Sequence, residues 1–215
     1  SNFVVFNDLN ATIAGGDDFR IYVNQSAGTT GQFIVNNNFN LTKTSDAGDD
    51  FVIIVDDASS SLVVGGNFIS NFNGTSDVFR LNLDGGTTAI TGDFSINAAG
   101  SCGNIHFDLD GGNFIVNDFT CNYNGNSDAL ISIDQSSIFS VNGSFSGSLS
   151  GGDDFLLYVN QYNGTNAQFN VLGNFSFNKA GVSGDNFVII VDDVSSLFNI
   201  AGDFVSNFNG ATDAT

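Results

Sequence analysis

Residues 51–74 read FVIIVDDASSSLVVGGNFISNFNG, and residues 187–210 read FVIIVDDVSSLFNIAGDFVSNFNG. Both stretches belong to a longer internal copy, because residues 1–79 align without a gap on residues 137–215 with 39 of the 79 pairs identical. Repeats of this kind are typical of solenoids and arrays, in which each unit buries its apolar face against its neighbours. The offset of 136 residues is itself built from smaller units.

The smaller unit contains three short alternating segments. The first alternates apolar and other residues and closes on Asp or Asn, as in residues 51–56, and its seven closing residues are 32, 28, 26, 24, 26 and 32 positions apart. The second has the pattern of residues 64–68, which ends in Asn-Phe, and a third alternating run follows the aromatic residue. Period-2 alternation bounded by Gly, Asn, Asp and Ser is typical of half-buried strands.

Three strands in 24–32 residues cannot bury an apolar face alone, so successive units must stack. The sequence therefore predicts an all-β protein, a parallel β-solenoid with about three short strands per coil and seven to eight coils. Coils about 4.8 Å apart would give a rod of roughly 35 Å. We expect residues 1–215 to form one solenoid section. One internal aromatic column should contain Phe39, Phe68, Phe94, Phe119, Phe145, Phe175 and Phe204.

Composition agrees with this architecture and excludes several functions. The 215 residues contain no proline, which would remove a hydrogen-bond donor from a ladder. Four basic and 23 acidic residues give a net charge of −19, which argues against nucleic acid as a partner because such binding needs clustered Lys and Arg. No run of apolar residues is long enough to predict membrane insertion.

The two cysteines are not expected to form a disulfide. In the predicted coil register, Cys102 lies in a turn, and Cys121 lies one coil later and about five strand residues away from that turn. Five extended residues span about 16 Å, whereas a disulfide permits a Cα separation of roughly 7 Å. Cys121 is expected in the core, between Ile96 and Gly147.

Acidic residues close the first strand on four successive coils, at Asp56, Asp84, Asp110 and Asp134. Stacked carboxylates repel each other and could recruit Ca²⁺, which prefers carboxylate and carbonyl oxygens. The alternative is that each Asp accepts hydrogen bonds from turn backbone amides and stays solvated, and Asn24 and Asn160 at the same position favour it. No cofactor is required by the pattern, and Ca²⁺ is the only one that it suggests.

Apolar residues also fall on outward-facing strand positions, where they suggest contact with further copies of the chain. Exposed apolar patches often mark partner surfaces, although scattered surface apolar residues are common. The candidate residues for self-association are Val52, Ile54, Leu156, Tyr158, Val188 and Ile190.

Other site predictions are weaker. Asn-x-Ser/Thr triplets make Asn24, Asn73 and Asn163 candidates for glycosylation, and Asn24 and Asn163 fall where the turn is longest. The paired carboxylates of the GGDDF turns at 15–19 and 151–155 could serve as acid and base, but they are copied along the rod, whereas catalysis needs one singular constellation. His106, the only histidine, has no evident catalytic companion. The sequence therefore predicts no catalytic residue and no enzyme.

The phrases GGNFISNFNG at 65–74, TGDFSINAAG at 91–100 and AGDFVSNFNG at 201–210 resemble the repeats of filamentous-haemagglutinin-like bacterial surface adhesins. The resemblance implies a right-handed parallel β-helix, export, display at a cell surface and a long non-enzymatic rod. The expected function is thus an extracellular structural filament or adhesin stalk that stacks with copies of itself and attaches to glycans, host cells or other surfaces. The alternative is a carbohydrate-binding or carbohydrate-processing β-helix, with a groove near residues 102–128 that breaks the repeat.

Overall fold

A computed structural model describes residues 1–14, 18–24, 28–44, 50–72, 78–99, 103–124, 127–150, 154–160, 166–180 and 186–209. Within these ranges the protein is all-β, with 23 strands and no helix. In chain order the strands are β1 (Asn2–Val5), β2 (Leu9–Ile13), β3 (Phe19–Val23), β4 (Gln32–Val35), β5 (Phe39–Lys43), β6 (Asp50–Asp56), β7 (Ser61–Val64), β8 (Phe68–Phe72), β9 (Val78–Asp84), β10 (Thr87–Ile90), β11 (Phe94–Ala98), β12 (Ile105–Asp110), β13 (Asn113–Val116), β14 (Phe119–Tyr123), β15 (Ala129–Asp134), β16 (Ile138–Val141), β17 (Phe145–Leu149), β18 (Phe155–Val159), β19 (Gln168–Val171), β20 (Phe175–Lys179), β21 (Phe187–Val191), β22 (Leu197–Ile200) and β23 (Phe204–Phe208).

Every third strand joins the same sheet, so three sheets run along the molecule. Sheet A starts at β1 and sheet B at β2, each with eight strands, and sheet C starts at β3 and has seven. Neighbouring strands pair parallel and in register, as β8, β11 and β14 do in sheet B. Three strands, one from each sheet, make one coil, and the coils stack into the predicted parallel β-solenoid. The right hand of the coil stays a prediction, favoured by the general handedness of crossovers between parallel strands.

The predicted aromatic column is present in sheet B. Leu9 occupies the first position, and the seven predicted phenylalanines follow in register. Successive ring centroids are 4.7–5.3 Å apart. Because a slip of one residue would turn every ring outward, this column fixes the register of the whole stack.

Two further columns that are rich in phenylalanine lie in the core, beside columns of mostly aliphatic residues. The sheet C column contains Phe19, Phe51 and Phe79, continues through Ile105 and Ala129, and returns to phenylalanine at 155 and 187. In sheet A, Phe114, Phe139, Phe169 and Phe198 stack over a stretch that begins above Thr88. Rings of different sheets meet edge to face, as the Phe107 and Phe119 rings do at 5.5 Å and 66°. Such pairs add roughly 0.5–1.5 kcal/mol beyond burial.

A ladder of polar side chains stabilises the turn between sheets A and B. At this turn, a side-chain oxygen of Asp, Asn or Ser accepts a hydrogen bond from the backbone N–H of the equivalent residue in the next coil. The N···O distances are 2.6–3.3 Å. The ladder satisfies backbone groups that no strand pairing reaches. Its members are Asp8, Asn38, Asn67, Asp93, Asp118, Ser144, Asn174 and Asp203.

Glycine often precedes a member of this ladder because the turns stack too closely for a side chain. A Cβ atom on Gly143 would overlap the carboxylate oxygen of Asp118, and one on Gly92 would overlap the amide oxygen of Asn67. Where coil five carries Asn117 instead of glycine, its Nδ2 donates to Asp93 Oδ1 at 2.8 Å. The glycine phrases in the sequence therefore mark this close approach.

The 136-residue repeat corresponds to five coils. Phe39 and Phe175, its equivalent 136 residues later, are separated by five successive pairings in sheet B. Lys43 and Lys179 are likewise equivalent, and both side chains are buried at the inner edge of that sheet. In the described residues no helix is long and apolar enough to cross a membrane.

Candidate functional site

The four closing aspartates do form one column at the end of sheet C. Asp56 pairs with Asp84, Asp84 with Asp110, and Asp110 with Asp134. Asp134 is buried and accepts a hydrogen bond from Ser132 Oγ at 2.8 Å. Burial raises the pKa of Asp110, and the neighbouring charges of Asp84, Asp108 and Asp134 raise it further.

The register alone does not make this column a metal centre. One oxygen of Asp110, Oδ1, is buried and makes no hydrogen bond. However, no group of three or more His, Cys, Asp or Glu side chains within the described ranges is arranged to hold a metal ion. Calcium binding at Asp56, Asp84, Asp110 and Asp134 therefore stays a prediction.

The six candidate residues for self-association all lie on the outer face of sheet C. Val52 and Ile54 lie on β6, beside Tyr22 of β3. Leu156 and Tyr158 of β18 lie beside Val188 and Ile190 of β21. The two groups form separate apolar patches, because β9 and β12 between them carry Arg80, Asn82, His106 and Asp108 at the same outward positions, whereas Leu130 of β15 lies beside Leu156 and extends the second patch.

The candidate glycosylation sites are described only in part. Asn24 has a positive φ of 63°, its Nδ2 donates to the Thr29 carbonyl oxygen at 2.5 Å, and its Oδ1 accepts from Thr29 Oγ1. Its amide nitrogen is therefore already engaged in a local turn. Asn73 and Asn163 lie outside the described residues, as do residues 15–17 and 151–153 of the GGDDF turns.

The surroundings of three further side chains, those of Asp18, His106 and Cys121, shift their pKa values. Asp18 accepts the backbone N–H of Asp50, which lowers the pKa of its carboxyl, and pairs with Arg20. His106 is half-buried, and burial lowers its pKa. Cys121 lies between Ile96 and Gly147 as predicted, and burial raises the pKa of its thiol to about 12. Cys102 lies outside the described residues.

The outer face of sheet B holds a feature that sequence reasoning missed. On adjacent coils, Asn97 Nδ2 donates to Asn71 Oδ1 at 3.0 Å, and Asn122 Nδ2 donates to Asn97 Oδ1 at 2.9 Å. Ser148 Oγ then donates to Asn122 Oδ1 at 2.7 Å. We call these four residues the amide ladder. The signal in the sequence was the recurrence of Asn or Ser at the fourth position of the third strand, where period 2 turns it outward.

The described surface contains grooves. One of about 220 Å³ is lined by three members of the amide ladder, Asn97, Asn122 and Ser148, together with Asn124 and Ser150. Three of its lining residues, Asn122, Tyr123 and Asn124, fall within residues 102–128, where the alternative carbohydrate interpretation expects a break in the repeat. A larger groove of about 480 Å³ lies on the first two coils, between Tyr22, Asn24 and Gln32.

Comparisons of the chain with protein-family models, with curated proteins and with solved structures give no match. The likeness to filamentous-haemagglutinin-like adhesins therefore rests on the repeat phrases and on the solenoid architecture. What the structure establishes is a parallel β-solenoid of three-strand coils with an aromatic interior.

Proposed function

We propose that this chain is a section of an extracellular structural filament or adhesin stalk. The observation that carries the proposal is the unbroken register of sheets A and B through all eight of their strands. A rod held together in this way keeps two attached ends at a fixed separation. That is the mechanical task of a stalk, and it requires no reacting group.

Three sets of interactions along the axis support this proposal. Backbone pairing joins every neighbouring coil, the aromatic column stacks inside, and the polar turn ladder adds hydrogen bonds between coils at one corner. Because each coil contacts only its neighbours, stability is approximately the sum of coil and interface contributions. Adding coils therefore lengthens such a rod without a change of design.

Further copies of the chain are the proposed partners, with lateral contact through the outer face of sheet C. Leu156 and Val188 are adjacent and half-buried there, and Ile190 is 38% exposed. Burying apolar area contributes roughly 25 cal/mol per Å². The net charge of −19 opposes close association at low ionic strength, so added salt should favour it.

A pair of charge substitutions tests the lateral contact. The double variant Leu156→Asp and Val188→Asp places two carboxylates in the patch, and the matched control places Ser146→Asp and Ser176→Asp on the same coils of sheet B. Sedimentation velocity at 0.5 M salt should detect association in the wild type and the control, with at least a tenfold weaker constant in the patch variant. Equal association of all three proteins would refute this surface.

The filament itself is tested by electron microscopy of the native material. The proposal expects uniform thin fibrils whose diffraction shows a meridional spacing of about 4.8 Å along the fibre. Discrete particles at all concentrations, with no axial order, would contradict the structural role and leave the fold untouched.

A further inference from the structure

The outer face of sheet B carries almost only neutral polar side chains. Its eight strands place two residues each outward, and 14 of these 16 residues carry a neutral amide or hydroxyl group. Ile69 and Val205 are the two exceptions, and no outward residue of this sheet is charged. The outward strand positions of sheet A are uncharged too, but seven of its 16 outward residues are apolar, so in a chain with a net charge of −19 sheet B offers the more continuous neutral polar face.

Hydrogen bonding within the amide ladder leaves part of its capacity for a ligand. A primary amide has two N–H donors and two lone pairs on its oxygen. Asn122 uses one N–H on Asn97 and one lone pair on Ser148, so one donor and one acceptor remain unused by the described residues. Asn122 is also exposed. A hydroxyl group, which both donates and accepts, matches this remaining pair.

The ladder also fixes the direction of its amides. Each member from Asn97 onward donates toward the preceding coil, so the three bonds all point the same way along the axis. Amide side chains that are already fixed by hydrogen bonds lose less conformational freedom when a ligand binds, which is the advantage of preorganisation. Asn97 Nδ2 also donates to Ser95 Oγ at 3.3 Å, so the donor and acceptor pair that the described residues leave free is that of Asn122, and Ser148, one coil spacing of about 4.8 Å away, adds the lone pairs of its hydroxyl oxygen.

The groove gives this array a concave shape at one place. Its volume is about 220 Å³, and its lining combines the polar residues Asn97, Asn122, Asn124, Ser148 and Ser150 with Ala98, Ala99 and Tyr123. This volume lies below the roughly 300–1,000 Å³ of sites that enclose a drug-sized molecule. The groove therefore suits one unit of an extended chain that continues along the sheet.

We propose that the amide ladder and its groove bind a neutral polysaccharide, with one sugar unit in the groove and the chain running along the coil axis. The ligand is recognised by hydrogen bonds from its hydroxyl groups to Asn122 and Ser148. Acidic polysaccharides are excluded by the charge of the protein. This inference concerns sheet B alone and does not depend on the filament proposal, whose contact surface lies on sheet C.

Binding is tested with the intact chain and defined oligosaccharides. Titration calorimetry with cellohexaose and fully N-acetylated chitohexaose supplies the neutral probes, and a hexamer of alginate supplies the acidic comparison. We expect saturable binding of at least one neutral hexamer and none of the acidic one. Equal binding of the alginate hexamer, or no neutral binding at millimolar ligand, would overturn the proposal.

Point variants locate the site. Asn122→Ala and Ser148→Ala should each weaken neutral binding roughly 2- to 10-fold, the range expected for loss of one hydrogen bond. Asn178→Ala, a matched control in the same column but outside the groove, should bind like the wild type. Circular dichroism checks that each variant is folded. Unchanged affinity for the neutral hexamer in both groove variants, or an equal loss of affinity in Asn178→Ala, would refute the assignment.

Discussion

Replacing Phe119 by alanine removes the ring at the fifth of eight positions in the sheet B column. The Phe119 side chain is 1% exposed, and its ring lies 5.3 Å from the Phe94 ring and 4.7 Å from the Phe145 ring. The rings of Phe107 and Phe139 contact it edge on, at 5.5 and 5.4 Å.

The expected cost follows from these contacts. Truncation of a buried phenylalanine to alanine destabilises proteins by about 3–5 kcal/mol. Leucine already occupies the first position of the same column at Leu9, so Phe119→Leu should keep the register and cost about 1–2 kcal/mol. Because neighbouring coils are coupled only through their shared interfaces, the alanine variant should also separate the unfolding of the two halves.

Guanidinium unfolding followed by circular dichroism measures both effects. We expect Phe119→Ala to unfold in a broader or two-step transition, with hydrogen exchange fastest in the coils next to residue 119, while Phe119→Leu keeps a single transition. A loss below about 1 kcal/mol in the alanine variant, with exchange unchanged there, would refute the stacked aromatic core.

Three further predictions concern the turns, the acidic column and the buried thiol. Gly143→Ala should destabilise by about 1–3 kcal/mol by overlap with the Asp118 carboxylate, and in a double-mutant cycle measured by urea unfolding Asp118→Ala should recover part of that loss; additive effects would contradict the overlap. The raised pKa of Asp110 means that the folded chain binds its proton more tightly than the unfolded chain, so this group costs stability as the pH rises above the ordinary value of 3.8. Asp110→Asn should therefore raise the free energy of unfolding at pH 7 and lose that advantage below about pH 3.8; an equal effect at pH 3 and pH 7 would contradict this. In a Cys102→Ser background, Cys121 should react with a thiol reagent only in denaturant because burial raises its pKa to about 12, and rapid reaction of the folded chain would show that the thiol is accessible.

The sequence predicts the inner columns well because each coil repeats the same local pattern. The third strand places an aromatic residue immediately after a turn Asp, Asn or Ser, so aligning the phrases also aligns Phe39 with Phe68 and Phe94. The outward position of His106 and the core position of Cys121 follow from the same alternation. One period and one register therefore determine most of the fold.

Features that depend on distances between coils could not be predicted in this way. The amide ladder exists because Asn97 and Asn122 come within hydrogen-bond reach only when their coils stack. The sequence pattern also does not show where a large side chain in one coil fills the space left by a small residue in the next, as the Phe177 ring does beside Gly147. Thr88 is an exception to the rule that inward positions are apolar, because it is buried in the sheet A column with its hydroxyl unpaired.

Electron paramagnetic resonance distances between spin labels on sheet B test the stacking most directly. In a background without Cys102 and Cys121, labels are placed at outward positions of one column, pairing Asn40 with Ser146, Asn40 with Ser176 and Asn10 with Ser176. These pairs are four, five and six coils apart. The account predicts backbone separations near 19, 24 and 29 Å, increasing by about 4.8 Å per coil. Separations that do not grow in equal steps with coil number would contradict the solenoid.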